Sequence, residues 1–182
     1  MMNNFLPEGY EVPQKSADYM KLLDGENRFR ICGTPILGWK WWKKEDGSEK
    51  PKPYRIPMDA EVPKSIKPDD VKHFWAVVVW NYKEERFQVL ELTQKGIQEE
   101  IAQLAAEVDW GNPEDYDISI IKSGQKLDTK YLVHPKPKKP LDPGIKQLFK
   151  DMQIDLTALY RGSDPFHKND ESKKTGDAED SE

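Results

Sequence analysis

At 182 residues, 36% of them hydrophobic, the chain has material for one domain with a real core and little for a second. A single cysteine, Cys32, excludes an intrachain disulfide, and His73, His134 and His167 lack any clustered zinc-ligand spacing, so neither a metal nor another cofactor is expected. The formal charge of −5 is unevenly spread, with eight lysines against two aspartates between Lys122 and Lys150, and seven acids against three lysines between Ser163 and Glu182.

The start, MMNNFLPEGY, has no basic flank leading into an apolar run, and no stretch approaches the roughly 18 apolar residues of a membrane span. A soluble protein of a reducing cytoplasm is expected. Residues 1–24 are polar and broken by proline, and read as an N-terminal arm with a short helix at SADYMKLL. NRFRIC then alternates as a half-buried strand does, Phe29 and Ile31 on one side and Arg28, Arg30 and Cys32 on the other. Gly33, Pro35 and Gly38 interrupt it before WKWW resumes, which gives one long strand bent by glycine and proline.

Residues 43–72 contain five prolines and no sustained period, the pattern of a long loop. HFWAVVVWNY and RFQVLEL, parted by KEE, form a hairpin rich in β-branched and aromatic residues. Thr93 stands where it can cap a helix whose apolar stripe is Ile97, Ile101, Leu104, Ala105 and Val108, stopped by DWGNP. YDISIIKS and TKYLVH flank the turn GQKLD as two further strands. A mainly β chain with a bent first strand, a helix after the third strand and a closing hairpin has the order of a five-stranded OB barrel, which binds ligands across strands two and three and the loops 1–2 and 4–5. Other small barrels and open α+β sheets share that order. The domain is bounded at residues 25–141, followed by a short helical extension over 142–162 (GIKQLFKDM, then IDLTALY) and a disordered acidic tail over 163–182.

Three of the six tryptophans lie in ILGWKWWKK, and their companions at two-residue spacing sort them. Leu37, Trp39 and Trp41 make an apolar set that belongs in the core, whereas Gly38, Lys40 and Trp42 share a side that the lysine marks as solvent-facing. In the next strand Phe74, Ala76, Val78 and Trp80 are wholly apolar, while His73, Trp75, Val77, Val79 and Asn81 mix in polar groups, so Trp75 is the outward indole. Trp42 and Trp75 then either pack beneath the 43–72 loop or the N-terminal arm, or stack on nucleotide bases. In the second case Lys40, Lys43, Lys44, Lys52, Arg55, Arg28 and Arg30 are placed to hold phosphates, with Tyr54 and His73 beside the indoles.

No catalytic constellation emerges. GTPILGWK approaches a phosphate-binding loop, but Trp39 occupies the position of its lysine and no strand-to-helix context surrounds it. The acidic pairs Asp69–Asp70, Glu84–Glu85 and Glu114–Asp115 lie in turns, and ELTQK lacks the Glu-x-Lys spacing of many metal-dependent nucleases, so no enzyme is expected.

The segments FLPEGY, GENRFRI, PILGWKWW, KHFWAVVVWNY, QVLELTQKGIQ, DWGNPEDYDISI and LDTKYLVHPKPKKPL, in order from Phe5 to Leu141, resemble the OB-fold single-stranded DNA-binding proteins encoded by tailed phages. The resemblance implies sequence-tolerant coating of single strands in replication, recombination and repair, inside the host cytoplasm. It also implies an acidic tail, here Asp177, Glu179, Asp180 and Glu182, that contacts phage or host replication proteins and competes with DNA for the groove. Two features depart from the family. The chain ends DAEDSE where many relatives end in an aromatic residue, with Phe166 well upstream, and it lacks the ligands for the structural zinc some of them carry. A homodimer stays open. The other functional classes compatible with exposed aromatics are a protein-interaction module engaging a host protein, and an oligosaccharide binder, which the flanking lysines disfavour.

Overall fold

The computed structural model describes residues 18–166; most of the N-terminal arm, and the tail acids Asp177, Glu179, Asp180 and Glu182, lie outside the described residues. Six strands form one antiparallel sheet: β1 (Gly25–Lys43), β2 (Lys52–Pro57), β3 (Lys72–Asn81), β4 (Arg86–Leu92), β5 (Asp117–Ser123) and β6 (Lys130–Pro135). Helix α1 (Lys95–Ala106) connects β4 to β5, and α2 (Pro143–Met152) follows β6. The strand order is β4-β3-β1-β5-β6, with β2 off this path against β1. The chain is mainly β, as its alternation predicts, but the sheet has six strands and is not closed into a barrel. Its end strands β4 and β6 do not pair, and the Val133 amide of β6 donates instead to the Glu100 carboxylate of α1 at 3.1 Å.

β1 carries the architecture. Its first half pairs with β3 and β5 and its second half with β3 and β2, so β2 takes beside Gly38–Lys43 the edge that β5 takes beside Gly25–Arg30. The bend lies where Cys32 opposes Val78 and Ile36 opposes Ala76, and Gly33 at φ +82° admits the left-handed backbone needed there. Gly38 permits the close approach of β2, since a Cβ there would sit 2.0 Å from the Ile56 carbonyl oxygen. The 43–72 segment is therefore not wholly loop. Prolines 53 and 57 disguise an edge strand, the one sheet position that tolerates residues without an N–H.

Directly opposed antiparallel residues share a face, so the register sorts the side chains into two layers. On one face Phe29, Ile31, Val77, Val79, Leu90, Leu92, Ile118 and Ile120 pack with Ile97 and Ile101 of α1. On the other, Cys32, Phe74, Ala76, Val78, Trp80, Phe87 and Val89 are covered by Leu156 and Leu159, with Phe149 of α2 beside them. Both alternating sets of β3 are thus buried, which corrects the expectation that the set containing Val77 and Val79 faces out. The run AVVVW is the continuous apolar signature of a strand covered on both sides. Burial of Leu156 and of Leu159 each contributes about 1.5–3 kcal/mol to holding the C-terminal segment on this outer face. That segment also extends past its expected boundary. Ser163 donates its amide to the Ala158 carbonyl at 2.9 Å, Pro165 is buried, and Phe166 packs on the outer cluster.

α1 begins one residue later than its expected cap implies. Gln94 occupies the cap position without a side-chain hydrogen bond, so Thr93 does not cap the helix, and Val108 falls beyond its end at 97% exposure. Ile97 and Ile101 alone of the expected stripe are buried, while Leu104 is half-buried and Ala105 exposed. Among the described residues no helix is long and apolar enough to cross a membrane.

Candidate nucleic-acid interface

Arg28, Arg30, Lys40 and Trp42 all fall on the outer face of β1, two extra residues at the bend preserving the alternation. They do not form one cationic track. Asp117 of β5, opposite Arg30 in register and fully buried, accepts from Arg28 Nη2 at 2.8 Å, Arg30 Nε at 2.7 Å and the Tyr82 hydroxyl at 2.8 Å. Burial alone would raise the Asp117 carboxyl, but the hydrogen bonds from Tyr82, Arg28 and Arg30 outweigh it and hold the group below the ordinary carboxylate range. The Tyr82 hydroxyl, desolvated and tied to that carboxylate, is pushed up to about 12. Arg30 is only 1% exposed and spends its remaining donors on the carbonyls of Glu114 and Lys139. It has no reach to a phosphate, contrary to its expected role. Arg28 is partly exposed and lies 5.5 Å from the Tyr82 ring centroid.

At the other end of β1 the pattern repeats around Glu91 of β4. Lys40 Nζ bonds Glu91 Oε1, and Arg55 Nε donates to Glu91 Oε2 at 2.7 Å. Both cations are largely buried, so the expectation that Lys40 marks a solvent-facing side is also corrected. Burial lowers the Lys40 ammonium below its ordinary value, with Glu91 pulling the other way. These two cations and one carboxylate leave one positive charge in excess on the floor of a cleft of about 950 Å³. Trp42 forms one wall at 57% exposure, its ring 4.9 Å from Lys40 Nζ. Lys52, exposed and 4.0 Å from Glu45, stands at the mouth, and Arg161 of the C-terminal segment lines the same cleft. Lys43 and Lys44 are exposed, and neither has an ion pair among the described residues. Tyr54 lies one position away from Trp42's partner Pro53. It stacks on the buried Trp41 with centroids 6.0 Å apart and bonds Glu45 through its hydroxyl.

The second expected indole is elsewhere. Leu37 opposes Trp75, Trp39 opposes His73 and Lys40 opposes Lys72, so Trp75 and His73 project from the α1 face, opposite to Trp42 and Lys40. Trp75 is half-buried against the α1-side core. Trp39 is half-buried and Leu37 is 40% exposed; of the set expected in the core only Trp41 is sealed. The physical reason is the end of β3: among the described residues no strand pairs with β1 beyond Lys40 on that side, and α1 covers the sheet only part of the way to Trp39.

Glu91 escaped the reading of the sequence although it left a signal, a charged residue breaking the otherwise apolar set Phe87, Val89, Glu91. Arg161 left none, because it reaches the cleft only through the packing of the C-terminal segment. Cys32 is buried, which raises its thiol to about 11 and leaves it unreactive. Among the described residues no three His, Cys, Asp or Glu side chains are placed to hold a metal ion. Compared with family models, curated proteins and solved structures, the chain finds no match.

Proposed function

We propose that the protein is a non-enzymatic, sequence-tolerant binder of single-stranded DNA, acting through the cleft between β2 and the C-terminal segment. The observation that carries this reading is Trp42: a large indole left 57% exposed on the outer face of β1, over Lys40 and beside the exposed lysines 43, 44 and 52. An exposed ring accepts any base by stacking, and flanking lysines hold the backbone without reading sequence. The strand order β4-β3-β1-β5-β6 supports interpreting the sheet as an OB-type fold left open at its closing pair, since OB domains are partly open barrels. The resemblance to tailed-phage single-stranded DNA-binding proteins supports the same reading, and with it a role in replication, recombination and repair in a host cytoplasm. The tail acids Asp177 to Glu182 are then the contact for replication proteins, which a pull-down with and without residues 167–182 tests.

Fluorescence anisotropy with labelled oligo-dT, in competition with duplex DNA of matched length, tests the central reading. Saturable binding to the single strand, resisted by the duplex, is expected. No binding to either rejects it. One observation favours a second reading, a protein-interaction module: of the seven cations expected to hold phosphates, Arg28, Arg30, Lys40 and Arg55 are already engaged with Asp117 or Glu91. Such a module would leave oligo-dT unbound and still capture a protein through Trp42.

A further inference from the structure

Trp39, His73 and Trp75 meet on the α1 face of the sheet, where their role in the core is incomplete. The Trp39 and His73 rings are 5.3 Å apart and tilted by 57°, and with Met58, Lys72 and Lys95 they line a cleft of about 620 Å³. The polar edges of His73 and Trp75 are already used inside the protein. His73 Nδ1 donates to the Gly38 carbonyl at 2.9 Å, which leaves Nε2 to accept from Trp75 Nε1 at 3.2 Å. Gln98 of α1 fixes the backbone below by donating to the carbonyls of His73 and Leu92. What His73 and Trp75 offer a ligand is therefore ring surface, held in place by bonds that need no ligand; Trp39 adds a partly exposed ring beside them, and ring surface stacks on any base.

Lys72 joins this cleft to the first one. It opposes Lys40 in register, is exposed, and has no ion pair among the described residues. β3 starts at Lys72, so among the described residues β1 from Trp41 to Lys43 has no strand beside it on that edge, and Trp39 and Trp42 are only about 10 Å apart along β1. A polynucleotide lying on Trp42 meets no strand of the described residues where it turns over this edge, and Lys72 stands at the crossing. Resting on the single-strand reading above, we infer that the Trp39–His73–Trp75 cleft is a second base-stacking subsite, and that a bound single strand passes over the end of the sheet from one face to the other with Lys72 holding a phosphate at the crossing.

Strand length separates this inference from the reading beneath it. Oligo-dT of about four and about sixteen nucleotides, the range occupied by single OB domains, is titrated against the wild type and the Trp39→Ala, Lys72→Glu and Trp42→Ala variants. The inference expects Trp39→Ala and Lys72→Glu to weaken the long oligonucleotide by about tenfold or more while leaving the short one unchanged, and Trp42→Ala to weaken both. If Trp42→Ala weakens binding and Trp39→Ala and Lys72→Glu change neither length, or change both equally, the second subsite is rejected and the first survives. If the wild type binds neither oligonucleotide, both fall. Lys72 is a surface residue, so its variant stays informative should Trp39→Ala not fold. Ultraviolet cross-linking of the wild-type chain to oligo-dT carrying 5-iododeoxyuridine adds a readout without substitution. Adducts at Trp39 or Trp75 as well as Trp42 support the inference, and adducts at Trp42 alone overturn it.

Discussion

Asp117 and Glu91 stand at opposite ends of the outer face of β1, and each gathers cations contributed by that strand. Asp117 is wholly buried and binds Arg28 and Arg30; Glu91 is 13% exposed and binds Lys40 from β1 and Arg55 from β2. Around Asp117 the chain closes in, with the Glu114 and Lys139 carbonyls and the Tyr82 hydroxyl completing the hydrogen bonds, so the cluster braces β1 against β5 and holds Arg30 buried. Around Glu91 the covering stops short, and the excess positive charge lies under an exposed indole at the floor of a cleft. Residues of one chemical type, on one face of one strand, become scaffold or surface according to what packs over them.

If the Asp117 cluster is scaffold, its removal is the most damaging change to the fold. Asp117→Ala leaves Arg30 buried without its partner and is expected to lower stability by about 3–5 kcal/mol in urea unfolding; a loss below about 1 kcal/mol would show the cluster to be dispensable. The pH dependence follows from the same group. Its folded carboxyl titrates below the ordinary range, so its contribution is complete above about pH 4 and is lost as the pH falls through the lower folded value. Acid unfolding of Asp117→Asn is expected to show a shallower pH dependence over that interval than the wild type.

At the Glu91 end the expected effects are on binding. Trp42→Ala removes a ring that packs little in the fold and is expected to cost about 1–3 kcal/mol of affinity for oligo-dT with the unfolding midpoint nearly unchanged. Glu91→Gln frees Lys40 and Arg55 for phosphate. It is expected to tighten binding by a few fold and steepen the salt dependence by about 1.4, about 0.7 for each of the two cations. Unchanged affinity in that variant would mean that the two cations stay out of reach, and the two ends of β1 would then be alike.

How much of this is legible in the sequence differs between the same two regions. Five of the six strands and the helix between β4 and β5 follow from local periodicity, because each buries at least one face against a continuous layer. β2 stays hidden because its prolines imitate a loop and, among the described residues, it pairs with β1 alone. The two faces of β3 are apolar alike, and in such a strand alternation cannot say which side is covered by which element; that is why Trp75 and Trp42, both beside polar residues, read as companions and project from opposite sides. The ion pairs of Arg30 with Asp117, and of Lys40 with Glu91, join residues far apart in the chain. A sequence displays the cations on β1 but not the carboxylates that neutralise them. Of the two indoles expected to face out, Trp42 is the one the structure leaves exposed, since it lies on the outer face beyond the end of β3.

The salt dependence of oligo-dT binding to the wild-type protein, followed by quenching of indole fluorescence, tests the cationic and aromatic cleft most directly. With the exposed lysines 43, 44 and 52 each meeting a phosphate, the logarithm of the association constant is expected to fall linearly with the logarithm of salt concentration at a slope of about −2. A slope near zero, or no quenching at any salt concentration, would contradict the account.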